Sequence, residues 1–105
     1  MAFNSLTVYM FSGANSDVDI NIIKAKNYNL YSVCVQNQQE ALKVCLEYVK
    51  EKYIDSILLC PAFNNIEAGE IDIAVGKEIN VCVSRCDTSP ATMVTLGKMQ
   101  KENLL

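Results

Sequence analysis

The chain has 105 residues, 50% of them hydrophobic, and a formal net charge of −3 at pH 7. This length suits a single domain, and the apolar content is too high for a disordered chain. Scattered lysines and a single arginine argue against nucleic-acid binding, and the apolar runs are far shorter than the roughly 20 residues that span a bilayer.

Four apolar runs of strand length each end in a short polar turn. The first, over residues 5–11, is almost continuous and contains β-branched and aromatic residues, a pattern typical of a strand covered on both faces. The other predicted strands cover residues 30–35, 54–60 and 79–85, and the third of the four is the most hydrophobic segment.

Helical patterns fill the first two gaps between these predicted strands. Ser16, followed by acidic residues, predicts the start of a short helix with Val18, Ile22 and Ile23 on its apolar face. A longer and clearer helix is predicted over residues 38–53, because apolar residues recur there at three-to-four spacing and charged residues occupy the opposite side.

Two more helices are predicted in the second half of the chain. Asn64 and the glutamate three residues later have capping-box spacing, and Gly76 suits a left-handed residue after the end of the helix they open. Ser89 as cap and Pro90 at the first helical position predict a last helix within a C-terminal tail over residues 90–105.

Strands that alternate with helices predict one α/β domain over residues 1–105 with a parallel sheet. We expect a three-layer sandwich, flavodoxin-like but truncated, with a four-stranded and mainly parallel sheet in the order 2-1-3-4. A two-layer α+β sheet with one antiparallel strand is the alternative.

The residue types exclude several kinds of site. Without histidine there is no Ser-His-Asp triad, Cys-His pair or histidine-based metal site, and no glycine-rich phosphate loop is present. We therefore predict no cofactor and no metal. The five cysteines are odd in number and form no Cys-x-x-Cys pair, which indicates reduced thiols. Since no secretory signal is apparent, we expect a cytoplasmic protein.

The candidate ligand-binding residues follow the predicted strands, because sites in parallel sheets lie at the carboxyl ends of strands. Cys60 is either a reactive thiol near a helix start or, as we favour, a small buried hydrophobe. Arg85 either binds an anion or, as we favour, forms an ion pair with Asp87 or with a carboxylate of a neighbouring copy. The full set of candidates is Ser12, Gly13, Asn15, Cys60, Asn64 and Arg85.

Residues 58–64 (LLCPAFN) and 81–87 (VCVSRCD) resemble segments of a family of short prokaryotic α/β proteins, known as a domain of unknown function. The resemblance extends to about Asp87 and includes the glycine turn and the Arg-x-Asp strand end. Family members tend to be glycine-rich after the cysteine, where this chain has Pro61 and Ala62. The resemblance implies no catalytic residue.

Two functions fit these observations. The first is a non-catalytic or weakly catalytic domain that works as a homo-oligomer through the outer edge of its fourth predicted strand and the C-terminal tail, because a small domain with open sheet edges gains by burying them. The second is a small-molecule enzyme or ligand sensor, with an anionic ligand near Arg85 and a crevice between residues 12–15 and 60–64.

Overall fold

The structure, a computed structural model, describes residues 2–84, 98–99 and 101–102. Two helices and five strands form its elements. In chain order they are β1 (Phe3–Met10), β2 (Ile20–Lys24), β3 (Tyr28–Val35), α1 (Gln38–Lys52), β4 (Ser56–Leu59), α2 (Asn65–Val75) and β5 (Asn80–Val83).

The five strands form one mixed sheet in the order β2-β3-β1-β4-β5. β1 pairs in parallel with β3 and β4, and β4 pairs in parallel with β5. The four strands predicted from the sequence are β1, β3, β4 and β5, so their predicted order is confirmed. The predicted strand count is wrong, because β2 adds an antiparallel edge strand beside β3.

The short helix predicted after Ser16 is wrong, because most of that segment is β2. The backbone makes a single turn, in which the amide of Asp19 donates to the carbonyl of Asn15 at 2.8 Å, and then extends. Residues 20–23 are three isoleucines and an asparagine, and β-branched residues favour a strand. Pairing with the free edge of β3 stabilises the strand conformation of this segment over the helical one.

α1 and α2 lie on the same face of the sheet and contact each other, with the Gln38 side-chain amide donating to the carbonyl of Glu67 at 3.0 Å. Both helices follow crossovers that run in the same direction across the sheet, and right-handed crossovers in one direction place helices on one face. The sheet and the helices α1 and α2 therefore form two layers, whereas three were expected. The antiparallel strand β2 agrees with the alternative, a two-layer α+β sheet with one antiparallel strand.

The core lies between this helical layer and the sheet. Leu6 and Val8 of β1 are fully buried in a cluster that includes residues of α1 and α2, whereas the residues that alternate with them are not fully buried. The expectation that β1 is covered on both faces is therefore wrong for the described part of the chain. The other fully buried side chains of the core are Val33, Val35, Ala41, Cys45, Ile57, Leu59 and Ile71.

Of the four predicted helix starts, those of α1 and α2 are confirmed. The side chain of Asn37 accepts a hydrogen bond from the amide of Glu40 at 2.9 Å, and Asn64 and Glu67 form a complete capping box. α2 ends at Gly76, as predicted, but this glycine has φ 95° and ψ 169°, which is not the left-handed helical conformation. α1 ends at Tyr53, which does adopt that conformation.

The last predicted helix lies mostly outside the described residues. Lys98, Met99 and Lys101 are helical, and the amide of Glu102 donates to the carbonyl of Lys98 at 3.1 Å. Within the described ranges, no helix has the length and apolar character needed to cross a membrane.

Candidate functional site

The face of the sheet opposite α1 and α2 is covered by neither of these helices, and we name it the open face. The pairing registers define it, because residues paired across parallel and antiparallel strands point to the same side. Its members are Asn21, Ile23, Tyr28, Leu30, Ser32, Cys34, Phe3, Ser5, Thr7, Tyr9, Ser56, Leu58, Asn80 and Cys82.

The open face carries no charged side chain among these residues. Rings lie at its two ends: Phe3 and Tyr28 at the amino ends of their strands, with ring centroids 5.1 Å apart, and Tyr9 at the carboxyl end of β1. Small side chains such as Thr7 and Ser32 lie between them. Phe3 is 41% exposed and Tyr9 45%, whereas Leu6 on the opposite face is fully buried.

A cavity of about 550 Å³ lies where the open face reaches the carboxyl ends of β1 and β3. We name it the carboxyl-end cavity. Its volume falls within the range of small-molecule sites, about 300–1,000 Å³. Its described lining residues are Tyr9, Phe11, Asp19, Ile20, Asn21, Ser32 and Cys34.

Asp19 is held at the rim of this cavity by hydrogen bonds from both directions. Its carboxylate Oδ2 accepts from the backbone amide of Asn15 at 2.8 Å, and its carbonyl accepts from the amide of Cys34 at 3.0 Å. These bonds fix the side chain where β2 begins. Asp19 is therefore a positioned carboxylate within the cavity.

The thiol of Cys34 lies in the same cavity and stays protonated at neutral pH. Burial raises its pKa most, and the electrostatic effects of Asp19 and Cys60 raise the pKa further. A thiol with a raised pKa is a poor nucleophile. Cys34 therefore contributes surface to the cavity and no reactive thiolate.

The predicted candidates after the first strand form a turn beside a second, polar cavity of about 470 Å³. Gly13 adopts φ 88°, which its lack of a side chain permits, and the side chain of Asn15 accepts from the amide of Asp17 at 3.0 Å. Ser12 is exposed in the same turn. Gly13 and Asn15 line the polar cavity together with Glu40 and Lys43.

The remaining candidates lie elsewhere. Cys60 is half-buried, and its Sγ accepts from the amide of Met10 at 3.3 Å. Asn64 caps α2, and Arg85 falls outside the described residues. Neither Cys60 nor Asn64 lines the carboxyl-end cavity or the polar cavity, so the crevice between residues 12–15 and 60–64 stays a prediction.

The sequence interpretation missed the residues of the carboxyl-end cavity, although a signal for them exists. In β1 and β3 the side chains alternate between aliphatic residues, such as Val8 and Val33, and small or hydroxyl-bearing ones, such as Thr7 and Ser32. Such a period of two is typical of a strand with one buried face. The aromatic residues at the strand ends masked this alternation.

The described residues include no group of three or more His, Cys, Asp or Glu side chains arranged to hold a metal ion. Cys34, Cys45, Cys60 and Cys82 are free thiols.

Comparison with known proteins identifies a family and no function. The model of a family described as "Family of unknown function (DUF6506)" matches residues 2–98. No curated protein and no solved structure matches the chain. The resemblance to an uncharacterised family, inferred from residues 58–64 and 81–87, is thereby confirmed.

Proposed function

The chain belongs to this family of unknown function, and from its geometry we propose that it works as a homo-oligomer in which a second copy covers the open face. The observation that carries the proposal is a sheet face with aromatic residues at both ends and no charged residue among its members. Monomeric soluble proteins rarely leave large apolar patches in water.

The apolar area of the open face matches what a dimer requires. Phe3, Tyr9 and Tyr28 are each a little over 40% exposed, and Ile23, Leu30 and Leu58 are between 37% and 53% exposed. With side chains of this size, the exposed apolar area is on the order of 500 Å². A standard interface buries about 800 Å² per partner, of which somewhat more than half is apolar.

The absence of charge within the open face favours a second copy of the chain over another partner. The whole chain has a net charge of −3, so two copies repel each other through most of their surfaces. Stacking through the open face brings no like-charged side chains into direct contact. A two-fold axis would then place the open face of one copy against the open face of the other, as in most homodimers.

The test compares the mass of three proteins in solution by light scattering at micromolar concentration. We expect a dimer for the wild type and a monomer for Leu30→Glu, since that substitution places a charge within the open face. Ile73→Glu is the matched control, because Ile73 is 84% exposed on α2, away from the open face. It should leave the mass unchanged.

Circular dichroism establishes that each variant is folded. A wild-type protein that stays monomeric up to the highest soluble concentration would contradict the proposal. Dissociation by Ile73→Glu, with Leu30→Glu still dimeric, would place the interface on the helical layer instead. The outer edge of β5 and the C-terminal tail, which were predicted from the sequence as the interface, would be the next surfaces to test by substitution.

A second candidate function is small-molecule binding, which the carboxyl-end cavity favours. It lies at the carboxyl ends of β1 and β3, whereas the sequence placed the site at β1, β4 and β5. An anionic ligand bound by Arg85 stays a prediction, tested by a phosphate titration of the wild type and Arg85→Ala. We also propose a cytoplasmic location, supported by the free thiols of Cys34, Cys45, Cys60 and Cys82.

A further inference from the structure

We propose that the carboxyl-end cavity binds a small organic cation, an ammonium group attached to an aromatic or aliphatic body. The cavity is formed by residues of a single chain, but Tyr9, Asn21, Ser32 and Cys34 also belong to the open face, so the ligand and the proposed second copy compete for this surface. Its walls, its charge and the position of its carboxylate each support this ligand class.

The walls of the cavity suit an apolar body joined to a cation. Tyr9 is 45% exposed and Phe11 is 50% exposed, so both rings are open to a ligand. An aromatic face attracts a cation that lies within about 6 Å of the ring centroid, and it also packs against an apolar group. Two rings beside one cavity therefore favour a ligand that combines both properties.

The charge of the cavity selects a cation over an anion. Asp19 is the one charged side chain among the described lining residues. Ser32 and Asn21 add a hydroxyl and a side-chain amide, whose oxygens accept hydrogen bonds from an ammonium group. The carboxylate of Asp19 also contributes to the raised pKa of the Cys34 thiol, because it makes a second negative charge in the cavity unfavourable.

The carboxylate of Asp19 is oriented before a ligand arrives. Its Oδ2 accepts from the amide of Asn15, and among the described residues no donor reaches Oδ1. A carboxylate held in this way loses little conformational entropy when it pairs with an ammonium group. One oxygen thus anchors the side chain while the other is available to the ligand.

The experiment titrates ¹⁵N-labelled protein with three probes that share a phenyl ring and a short chain but differ in charge: 2-phenylethylamine, 2-phenylethanol and 3-phenylpropionate. We expect the amine to bind most tightly and the carboxylate most weakly. The largest amide shifts should occur at Tyr9, Phe11, Asp19 and Cys34.

Asp19→Asn should weaken binding of the amine roughly three- to five-fold, the effect of an exposed ion pair, and leave binding of the alcohol unchanged. Asp17→Asn is the matched control, because Asp17 lies two residues away and does not line this cavity. If Asp19→Asn fails to fold, Tyr9→Leu provides the test. This substitution keeps an apolar wall but removes the ring, so it should weaken binding of the amine more than binding of the alcohol.

Equal affinities for the amine and the alcohol, or equal effects of Asp17→Asn and Asp19→Asn, would overturn the proposal. The same titration in Leu30→Glu separates it from self-association. Amine binding that persists in a monomeric Leu30→Glu protein supports a site within one chain. Shifts confined to residues far from Tyr9 and Asp19 in both proteins would refute that site.

Discussion

Cys45 shows how burial changes the chemistry of one side chain on α1. It is fully buried in the core, and desolvation raises the pKa of its thiol to about 12. A thiol in an unfolded chain has a pKa of about 8.5. Between these two values the unfolded state has released the proton and the folded state has kept it. The free energy of unfolding therefore decreases as the pH rises through this interval.

We predict that Cys45→Ala removes this alkaline loss of stability. Between pH 8 and pH 10 the wild type should lose about 2 kcal/mol more than the variant, since each pH unit above the unfolded pKa corresponds to about 1.4 kcal/mol. Urea unfolding at both pH values measures the difference. Cys82→Ala, at an exposed position of β5, is the control and should behave like the wild type. Parallel pH profiles for the wild type and Cys45→Ala would contradict the argument.

Residues that act through local chemistry were predictable from the sequence. The spacing of Asn64 and Glu67 predicted a capping box, and the two hydrogen bonds of that box measure 2.8 and 2.9 Å. Each bond joins groups three residues apart, so no distant contact was needed. Asp19 could not be identified in this way, because its place beside Cys34 depends on how β2 pairs with β3.

At the scale of elements, β2 is the weakest part of the sheet. All five of its residues are exposed, and it pairs only with β3. β1 pairs on both sides and contributes Leu6 and Val8 to the core. Strands with few buried contacts open locally at a lower free energy than the whole domain.

Native-state hydrogen exchange should therefore show faster exchange in β2 than in β1. The amides of β2 that bond to β3 should exchange through local opening, whereas those of β1 should require global unfolding. Two-dimensional NMR after transfer to deuterated water measures both sets. Protection of β2 equal to that of β1 would mean that another chain covers this edge, and dilution of the sample would then restore fast exchange.

The error at β2 has a physical origin in the pattern itself. Val18, Ile22 and Ile23 fit one helical face, but the intervening Ile20 and Asn21 fit a strand equally well, and short apolar segments do not discriminate by period. α1 is longer and repeats its pattern over four turns, which is why its bounds were predicted within one residue. Pairing with the edge of β3 determined the conformation of the shorter segment, β2.

At the scale of the molecule, the missing helix determines the number of layers. The strand order was predictable from crossovers, but the third layer was inferred from the helix expected at residues 16–26. Once that segment is β2, α1 and α2 lie on one face of the sheet and leave the open face uncovered. A local error of about ten residues thus changed the predicted surface of the described sheet.

Self-association through the open face predicts that thermal stability depends on protein concentration. A dimer is favoured by mass action, so the midpoint of unfolding should rise when the wild type is concentrated from 1 to about 100 μM. Leu30→Glu should show one midpoint over this range, and Ile73→Glu should follow the wild type. Scanning fluorimetry at several concentrations measures this. A constant midpoint for a reversible wild-type transition would contradict a dimer in this range.

The central position of β1 has a consequence for synthesis of the chain on the ribosome. β1 is made before its partners: Phe3 pairs with Tyr28, and Ser5 pairs with Ser56. Residues 3–11 contain no charge and no proline, which is the composition of segments that aggregate when left unpaired. Until β4 has emerged, this strand has at least one vacant edge. Nascent chains are therefore most exposed to misassociation before β4 is translated, and a molecular chaperone would act there.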